Sequence, residues 1–143
     1  MKITSQNFIY SLSRIRHLAH TFLTEELKKV SITDIPPSFG DVFVIVTFKG
    51  PLSLKDISSY TYKDKSTITL IVKHMEKHGY FKRIVNPQDK RSFLIAPTNK
   101  SLALKKSFKT ISEKMNKKLF YNLSEQEQQH LFILLEKVMA NIK

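Results

Sequence analysis

Apolar residues recur every three or four positions at both ends of the chain, a spacing that predicts long amphipathic helices. Over residues 5–29 the repeat consists of Phe8, Leu12, Ile15, Ala19, Phe22 and Leu23. Over residues 98–119 it consists of Leu104, Phe108, Ile111, Met115 and Leu119. A last helix is predicted after the capping box at residues 124–127, with Leu131, Leu134, Leu135, Val138, Met139 and Ile142 along it.

These terminal helices need a covering surface. A monomer of 143 residues offers little partner surface to several long amphipathic helices. Packing against a second, identical subunit would bury their stripes in a two-fold dimer. The residues that we expect to require such cover are Phe8, Leu12, Phe108, Ile111, Leu134 and Val138.

A shorter helix is predicted between residues 38 and 50. Pro36-Pro37 closes the preceding loop, and Ser38 is the expected N-cap because Asp41 follows three residues later. Gly50-Pro51 suits the end of this helix, since proline cannot continue it. We expect Gly50 to adopt the left-handed conformation that glycine tolerates after a helix.

Two further helices follow at short range. Ser53 begins a capping-box-like start for a helix that runs to about Tyr60. Asp64 is the expected N-cap of the next helix, which runs to about His78 and ends at Gly79. This second helix is predicted to bury one stripe and to present short polar side chains on the opposite side. The buried stripe consists of Ile68, Ile71, Val72 and Met75.

The hydrophobic period changes from 3.6 to 2 after Gly79, which predicts a β-hairpin. Residues 80–85 form its first strand, residues 93–96 its second strand, and residues 86–91 a basic turn. The order of helix, helix, short helix, helix, hairpin, helix, helix is typical of a winged helix-turn-helix protein. The predicted fold is therefore mainly α with a small β-hairpin wing, flanked by N- and C-terminal dimerisation helices.

Positive charge is concentrated in the middle of the chain. Residues 55–118 contain sixteen basic and five acidic residues, which accounts for nearly all of the net charge of +12. A field of this sign attracts polyanions, nucleic acid foremost. A helix with short polar side chains can enter the major groove of duplex DNA, while the basic hairpin contacts backbone or minor groove.

Several classes of protein are disfavoured by composition. The chain has no cysteine, which excludes disulfides, thiolate metal sites and cysteine nucleophiles. Its three glycines provide no glycine-rich phosphate loop, and its carboxylates are not paired in a catalytic pattern. We therefore predict no enzyme activity, cofactor or metal. Without a membrane-spanning run or signal-peptide features, we expect a cytoplasmic location and no membrane partner.

Five segments between residues 57 and 98 stand in a specific order and spacing. They are Asp64-Lys65-Ser66-Thr67-Ile68-Thr69, Met75-Glu76-Lys77-His78-Gly79-Tyr80, Lys82-Arg83, Asn86-Pro87-Gln88-Asp89-Lys90-Arg91-Ser92 and Ile95-Ala96-Pro97-Thr98. Together they resemble the multiple-antibiotic-resistance regulator (MarR) family of bacterial transcription factors. The flanking helices extend this resemblance over almost the whole chain.

The resemblance implies a homodimer that binds a pseudo-palindromic operator in double-stranded DNA. It divides one integrated domain into an N-terminal dimerisation helix (1–35), a winged helix-turn-helix region (36–97) and C-terminal dimerisation helices (98–143). Carried over by position, the major-groove contacts would be Ser66, Thr67, Thr69 and Lys73. Arg91 would enter the minor groove, with Asp89 pairing with Arg91 or with a base. Lys65, Arg83 and Lys90 would contact phosphates or have structural partners.

Two positions depart from the family's pattern. The turn before the DNA-contacting helix is Thr61-Tyr62-Lys63, where small or apolar residues are usual. The helix after the wing has Lys100 at a position where glycine is common. Neither departure removes a predicted DNA contact, but the first leaves the geometry of the turn open.

A small-molecule site is a weaker prediction. Many members of the family are released from DNA by lipophilic or phenolic effectors bound between the dimerisation part and the DNA-binding region. By analogy, weak pocket candidates are His17, His20, Phe22, Phe43 and Tyr60. Aromatic residues at helical spacing more often form core, and this is the favoured alternative.

Two histidine pairs have a spacing that can hold a metal. His74 and His78 are four residues apart, and His17 and His20 are three apart. No third ligand follows at a suggestive spacing, so histidines that face solvent or phosphate are the favoured interpretation. The metal question stays open for both pairs.

The leading hypothesis is a homodimeric, sequence-specific transcriptional regulator, a repressor whose DNA binding a small ligand relieves. The alternative is a nonspecific architectural DNA-binding protein. The lysine-rich helix over residues 98–119 could also lie on a membrane surface, although a solvated outer face is the favoured interpretation.

Overall fold

The computed structural model describes residues 1–143. They form two compact units, Met1–Ile111 and Ser112–Lys143. None of the helices is long and apolar enough to cross a membrane. Seven helices and one antiparallel hairpin confirm the predicted, mainly α fold with a small β-hairpin wing. In chain order the elements are α1 (Phe8–Lys29), α2 (Gly40–Lys49), α3 (Leu54–Thr61), α4 (Lys65–Lys77), β1 (Phe81–Asn86), β2 (Asp89–Pro97), α5 (Asn99–Leu102), α6 (Lys105–Leu119) and α7 (Glu125–Ala140).

The core of the first unit is built around Phe43, which is fully buried. The centre of its ring lies 4.3 Å from that of Phe108, and the Tyr80 ring meets it edge-on at 5.6 Å. Phe108 and Ile111 are both buried in this core. The prediction that these two residues need a second subunit to cover them was therefore wrong, because periodicity identifies an apolar face without identifying its partner.

Helix α2 begins later than predicted, at Gly40. Residues Pro37–Phe39 form a 3-10 turn, so Ser38 is not the N-cap. The expectation for Gly50 was also wrong, since its φ of −62° is not left-handed. Glycine is required there for a different reason: a Cβ atom would lie 2.5 Å from the carbonyl oxygen of Val46.

Helices α3 and α4 have the predicted caps. The hydroxyl of Ser53 accepts from the backbone N–H of Asp56 at 3.1 Å, and the Asp56 carboxylate accepts from the N–H of Ser53. Between the two helices, Tyr62 takes the left-handed conformation with φ 54°. Tyr62 is 89% exposed, so this bulky residue fits the turn without displacing any residue of the core. Gly79 ends α4 with φ 77°, as predicted.

The hairpin is longer than predicted. Strands β1 and β2 stay paired out to Asn86 and Asp89, leaving only Pro87 and Gln88 at the tip. A further bridge joins Leu52 to Ile95 of β2, with N···O distances of 2.9 and 2.7 Å. The wing is thereby attached to the segment that precedes α3.

The helix predicted to run without interruption from residue 98 is broken. Thr98 caps the four-residue helix α5, and α6 begins only at Lys105. The hydroxyl of Thr98 donates to the Gly79 carbonyl at 2.6 Å, and that of Ser101 donates to the Tyr80 carbonyl. These bonds hold α5 against the residues after α4, a tertiary constraint that periodicity does not reveal.

The second unit contains the end of α6 and helix α7. Ser124 and Glu127 form the predicted capping box, and the rings of Phe120 and Phe132 meet edge-on at 5.5 Å. No residue of α7 is buried within the chain. Its large exposed apolar residues are Leu131, Phe132, Ile133, Leu134 and Met139.

Candidate nucleic-acid interface

Helix α4 begins with short-range hydrogen bonds centred on Asp64. Its Oδ1 atom accepts from the backbone N–H of Thr67 at 2.7 Å and from the hydroxyl of Ser66 at 2.8 Å. These bonds, the Thr67 backbone bond first, hold the pKa of the Asp64 carboxyl below its ordinary value. Asp64 therefore stays ionised, and its charge suits the positive end of the helix dipole.

One side of α4 faces away from the core. We call Ser66, Thr67, Thr69, Leu70 and Lys73 the outer face of α4. Ser66, Leu70 and Lys73 are exposed, while the two threonines are partly buried. The opposite stripe is buried as predicted and fixes the orientation of the helix; it consists of Ile68, Ile71, Val72 and Met75. The four predicted groove contacts therefore lie together on one accessible surface.

The wing brings Asp89, Lys90 and Arg91 together in an exposed strand end. Asp89 Oδ1 accepts from the backbone N–H of Arg91 at 3.0 Å and from its Nε atom at 3.4 Å. The predicted pairing of Asp89 with Arg91 is present. Because the Arg91 side chain is 93% exposed, this pair contributes little stability and leaves the guanidinium accessible.

Arg83 lies at the base of the wing in a different environment. Its Nε atom is 3.1 Å from Glu76 Oε1, and its guanidinium lies 4.4 Å from the centre of the Phe93 ring. These contacts favour the structural alternative for Arg83 over a phosphate contact. Lys65, by contrast, is exposed at the first position of α4.

A shallow groove between α3, the start of α4 and the wing was not predicted. Two lysines, four serines and two large apolar residues line it: Lys55, Lys65, Ser53, Ser58, Ser59, Ser92, Leu54 and Phe93. The two lysine ammonium groups suit an anion such as a backbone phosphate. The hydroxyls of Ser53, Ser58 and Ser92 donate their protons within the chain. The signal in the sequence was weak, because Lys55 and the serines lie on elements whose mutual placement only the fold defines.

The end of α4 is anchored to the loop before α2. The Nε2 atom of His74 is 2.7 Å from the carbonyl oxygen of Asp34, and the Tyr80 hydroxyl donates to the Asp34 carboxylate at 2.5 Å. Burial, together with Asp34, raises the pKa of the Tyr80 hydroxyl far above its ordinary value. Lys100 donates to the His78 carbonyl at 2.7 Å and lies over the Tyr80 ring, which accounts for lysine at this position.

The weak effector candidates are dispersed in the structure. Phe43 lies in the core, in agreement with the favoured alternative that these aromatic residues form core. Tyr60 is half-exposed, and Lys49 Nζ lies 4.7 Å from the centre of its ring. His17 is exposed on α1, where His20 and Phe22 are partly buried. A small groove of about 190 Å³ lies elsewhere and is lined in part by Lys28, Asp34 and His74. None of the five candidates lines it.

The histidine pairs show no cluster suited to a metal. His74 and His78 stack with ring centres 4.2 Å apart, and His78 Nδ1 is 2.9 Å from the His74 carbonyl. No group of three or more His, Asp or Glu side chains is placed to hold a metal ion. The two rings instead bond to backbone carbonyls, His74 to that of Asp34 and His78 to that of His74.

The model of the MarR family matches residues 42–93, from α2 into β2. Over this segment the chain is similar to the MarR family. The chain is 28% identical, over 94% of its length, to the HTH-type transcriptional repressor IacR of Pseudomonas putida, of which it covers 78%.

Solved structures show the same fold. The S. aureus MepR–DNA complex has a TM-score of 0.83 at 22% identity, covering 98% of this chain and 99% of that one. A structure of Bordetella bronchiseptica BpsR, concerned with regulation of its DNA binding by 6-hydroxynicotinic acid, has a TM-score of 0.78 at 19% identity. That match covers 97% of each chain.

Proposed function

We propose that this chain is a member of the MarR family and a cytoplasmic, homodimeric transcriptional regulator. It would bind a specific double-stranded DNA sequence and act as a repressor. The proposal rests on one observation: the accessible surfaces suited to DNA lie in the positively charged part of the chain. The outer face of α4 and the wing tip are both accessible, and both lie within the segment that carries nearly all of the net positive charge. IacR, a relative along most of the chain, is a transcriptional repressor.

Each part of this surface has a separate task. The outer face of α4 would enter the major groove, where Ser66, Thr67, Thr69 and Lys73 contact base edges. Arg91, held by Asp89, would enter the minor groove. Lys65 and Lys90 would contact phosphates, which supply affinity and register and carry no sequence information. The groove lined by Lys55 and Lys65 would accept a further phosphate.

The proposal of a homodimer rests on apolar surface left uncovered in the single chain. On α1, Ile9 and Leu18 are 64% and 59% exposed, and on α7, Leu134 is 50% exposed. Exposed apolar residues at this density on two long helices indicate a protein interface. A two-fold dimer would present two identical copies of α4 to half-sites about 34 Å apart.

Sedimentation velocity tests the dimer. We expect a species of twice the chain mass of 16.7 kDa at micromolar concentration. Leu134→Glu should shift this species toward the monomer, because it places a charge in the proposed interface. Lys137→Glu, an exposed position on the same helix, is the matched control. A wild-type protein that sediments only as a monomer would contradict the proposal.

Selection of bound duplexes from a random pool, read by sequencing, tests sequence-specific binding. We expect enrichment of an inverted repeat, and competition by random duplex should be weak. Affinity should fall steeply with salt, because each neutralised phosphate releases counterions. Retention of duplex without enrichment of any motif would indicate a nonspecific architectural protein instead.

The last part of the proposal is a small-molecule effector that relieves repression. It is supported by BpsR, whose DNA binding is regulated by 6-hydroxynicotinic acid. A ligand can act only if it binds the DNA-competent and DNA-incompetent forms with different affinity. Titration of the complex with 6-hydroxynicotinate and with 4-hydroxybenzoate, a phenolic acid of similar size, tests this part. Release of DNA by either supports it, and unchanged affinity with both counts against an effector of this class.

A further inference from the structure

The outer face of α4 contains one apolar side chain among four polar ones. Leu70 is 61% exposed and does not belong to the buried core cluster. An exposed leucine is common on protein surfaces and by itself indicates little. Its position is informative, because it stands between Thr69 and Lys73 at the centre of the surface that we propose to face the major groove.

The neighbouring hydroxyl groups direct their protons inward. Ser66 donates to the Asp64 carboxylate at 2.8 Å, and Thr69 donates to the Lys65 carbonyl at 2.8 Å. Carboxylate and carbonyl oxygens only accept, so both hydroxyl protons are used within the helix. Toward a ligand, Ser66 and Thr69 therefore present lone pairs, and Lys73 is the one charged donor on the outer face.

The edges of base pairs in the major groove offer a limited set of partners. Adenine N6 and cytosine N4 are donors that hydroxyl lone pairs can accept from, whereas the C5-methyl group of thymine is apolar. Leu70 has no polar atom and would desolvate any base edge other than a methyl group without compensation. We propose that Leu70 contacts a thymine methyl group in each half-site and thereby determines specificity at that position.

This inference rests on the proposed function. It predicts a base pair in each half-site at which the thymine methyl group, and no hydrogen bond, determines affinity. Replacing thymine by deoxyuridine removes the methyl group and leaves base pairing unchanged. The probe is the duplex enriched in the random-pool selection, with each thymine replaced by deoxyuridine in turn. For the wild-type protein we expect one position per half-site at which affinity falls about fourfold, the effect of one lost buried methyl group.

The variant Leu70→Ala should bind the thymine duplex about fourfold more weakly and should lose its sensitivity to deoxyuridine at that position. Leu70→Met keeps an apolar side chain of similar size and should retain the sensitivity. Leu102→Ala, at a leucine of α5 that is 40% exposed, is the matched control and should behave as the wild type. Thermal unfolding of each variant verifies that the fold is intact.

Two outcomes would overturn the inference while leaving the proposed function in place. One is specific binding by the wild type with no thymine position sensitive to deoxyuridine. The other is equal sensitivity in the wild type and in Leu70→Ala, which would assign the methyl contact to another residue. Failure of the wild type to bind any duplex would instead overturn the proposed function, and this inference with it.

Discussion

The two halves of helix α4 are held in different ways. From Lys65 to Lys73 the side-chain hydrogen bonds are local. The partners that lie furthest apart in sequence are Thr69 and Lys65, four residues apart. At His74 and Glu76 the side chains bond to residues outside the helix, with Asp34 and Arg83 as partners. One half is left accessible, and the other is attached to the loop before α2 and to the wing.

Under the proposed function, this difference separates the residues that contact DNA from the residues that position the helix. A helix that contacts base edges needs free side chains and also a fixed direction, since an error of about 1 Å removes a hydrogen bond. Local hydrogen bonds around Asp64 restrain the side chains and leave the outer face of α4 accessible. Long-range bonds at His74 and Glu76 orient the helix through residues that need not touch DNA. Variants in the two halves should therefore have separable effects on affinity and stability.

Arg91→Ala should show the largest effect on DNA affinity. Its side chain is 93% exposed, so stability should be unchanged while affinity falls about tenfold to hundredfold, the range for loss of an arginine contact to DNA. Fluorescence anisotropy at fixed salt measures this. Arg14→Ala, an exposed arginine of α1, is the control. Binding by Arg91→Ala equal to that of the parent would contradict the assignment of the wing.

Asp34→Ala should affect stability and spare intrinsic affinity. It leaves the hydroxyl of Tyr80, a residue only 3% exposed, without its partner, at a cost of about 1–3 kcal/mol in the free energy of unfolding. Urea denaturation measures the loss. DNA affinity per folded molecule should stay within about twofold of the wild type, and a larger loss would show that Asp34 also takes part in recognition.

Tyr80 also predicts the response to alkaline pH. Its hydroxyl pKa is raised in the folded state, so its stabilising contribution is complete below the ordinary tyrosine pKa of 10.0 and is lost progressively at higher pH. Tyr80→Phe should show a shallower loss of stability above pH 10. Identical pH profiles for the two proteins would contradict the Asp34–Tyr80 bond.

Thr67→Ala should change sequence preference more than stability. The threonine is partly buried on the outer face, and loss of one base-edge contact lowers discrimination by about 1 kcal/mol, or roughly fivefold. Repeating the random-pool selection with this variant measures the change. A motif identical to that of the wild type at every position would place Thr67 outside the base contacts.

The smallest effect is expected for Asp64→Asn, which keeps the cap and removes its charge. The lowered pKa of Asp64 means that its charge stabilises the fold above the ordinary aspartate pKa and ceases to do so as pH falls through the folded value. The melting temperatures of wild type and variant should differ slightly at pH 7 and converge in acid. A constant difference at all pH values would contradict this.

Local signals predicted much of this molecule. The capping residues Ser53, Asp64 and Ser124 and the buried stripe of α4 were predicted correctly, because caps and periodicity act within one helical turn. The break before Lys105 and the burial of Phe108 were missed, because both depend on residues distant in sequence. The same reason explains why the contacts of Asp34, Lys100 and Lys55 could not be foreseen.

Site-specific crosslinking tests whether α4 and the wing contact DNA, since the chain has no cysteine and accepts a single reactive one. Ser66→Cys and Arg91→Cys, each coupled to a photoactivatable crosslinker, place the reagent on α4 and on the wing. Gln129→Cys on α7 is the control. We predict crosslinks from the first two positions to bases within each half-site of the selected duplex and none from the third. Crosslinking from Gln129→Cys alone, or equally from all three positions, would contradict the account.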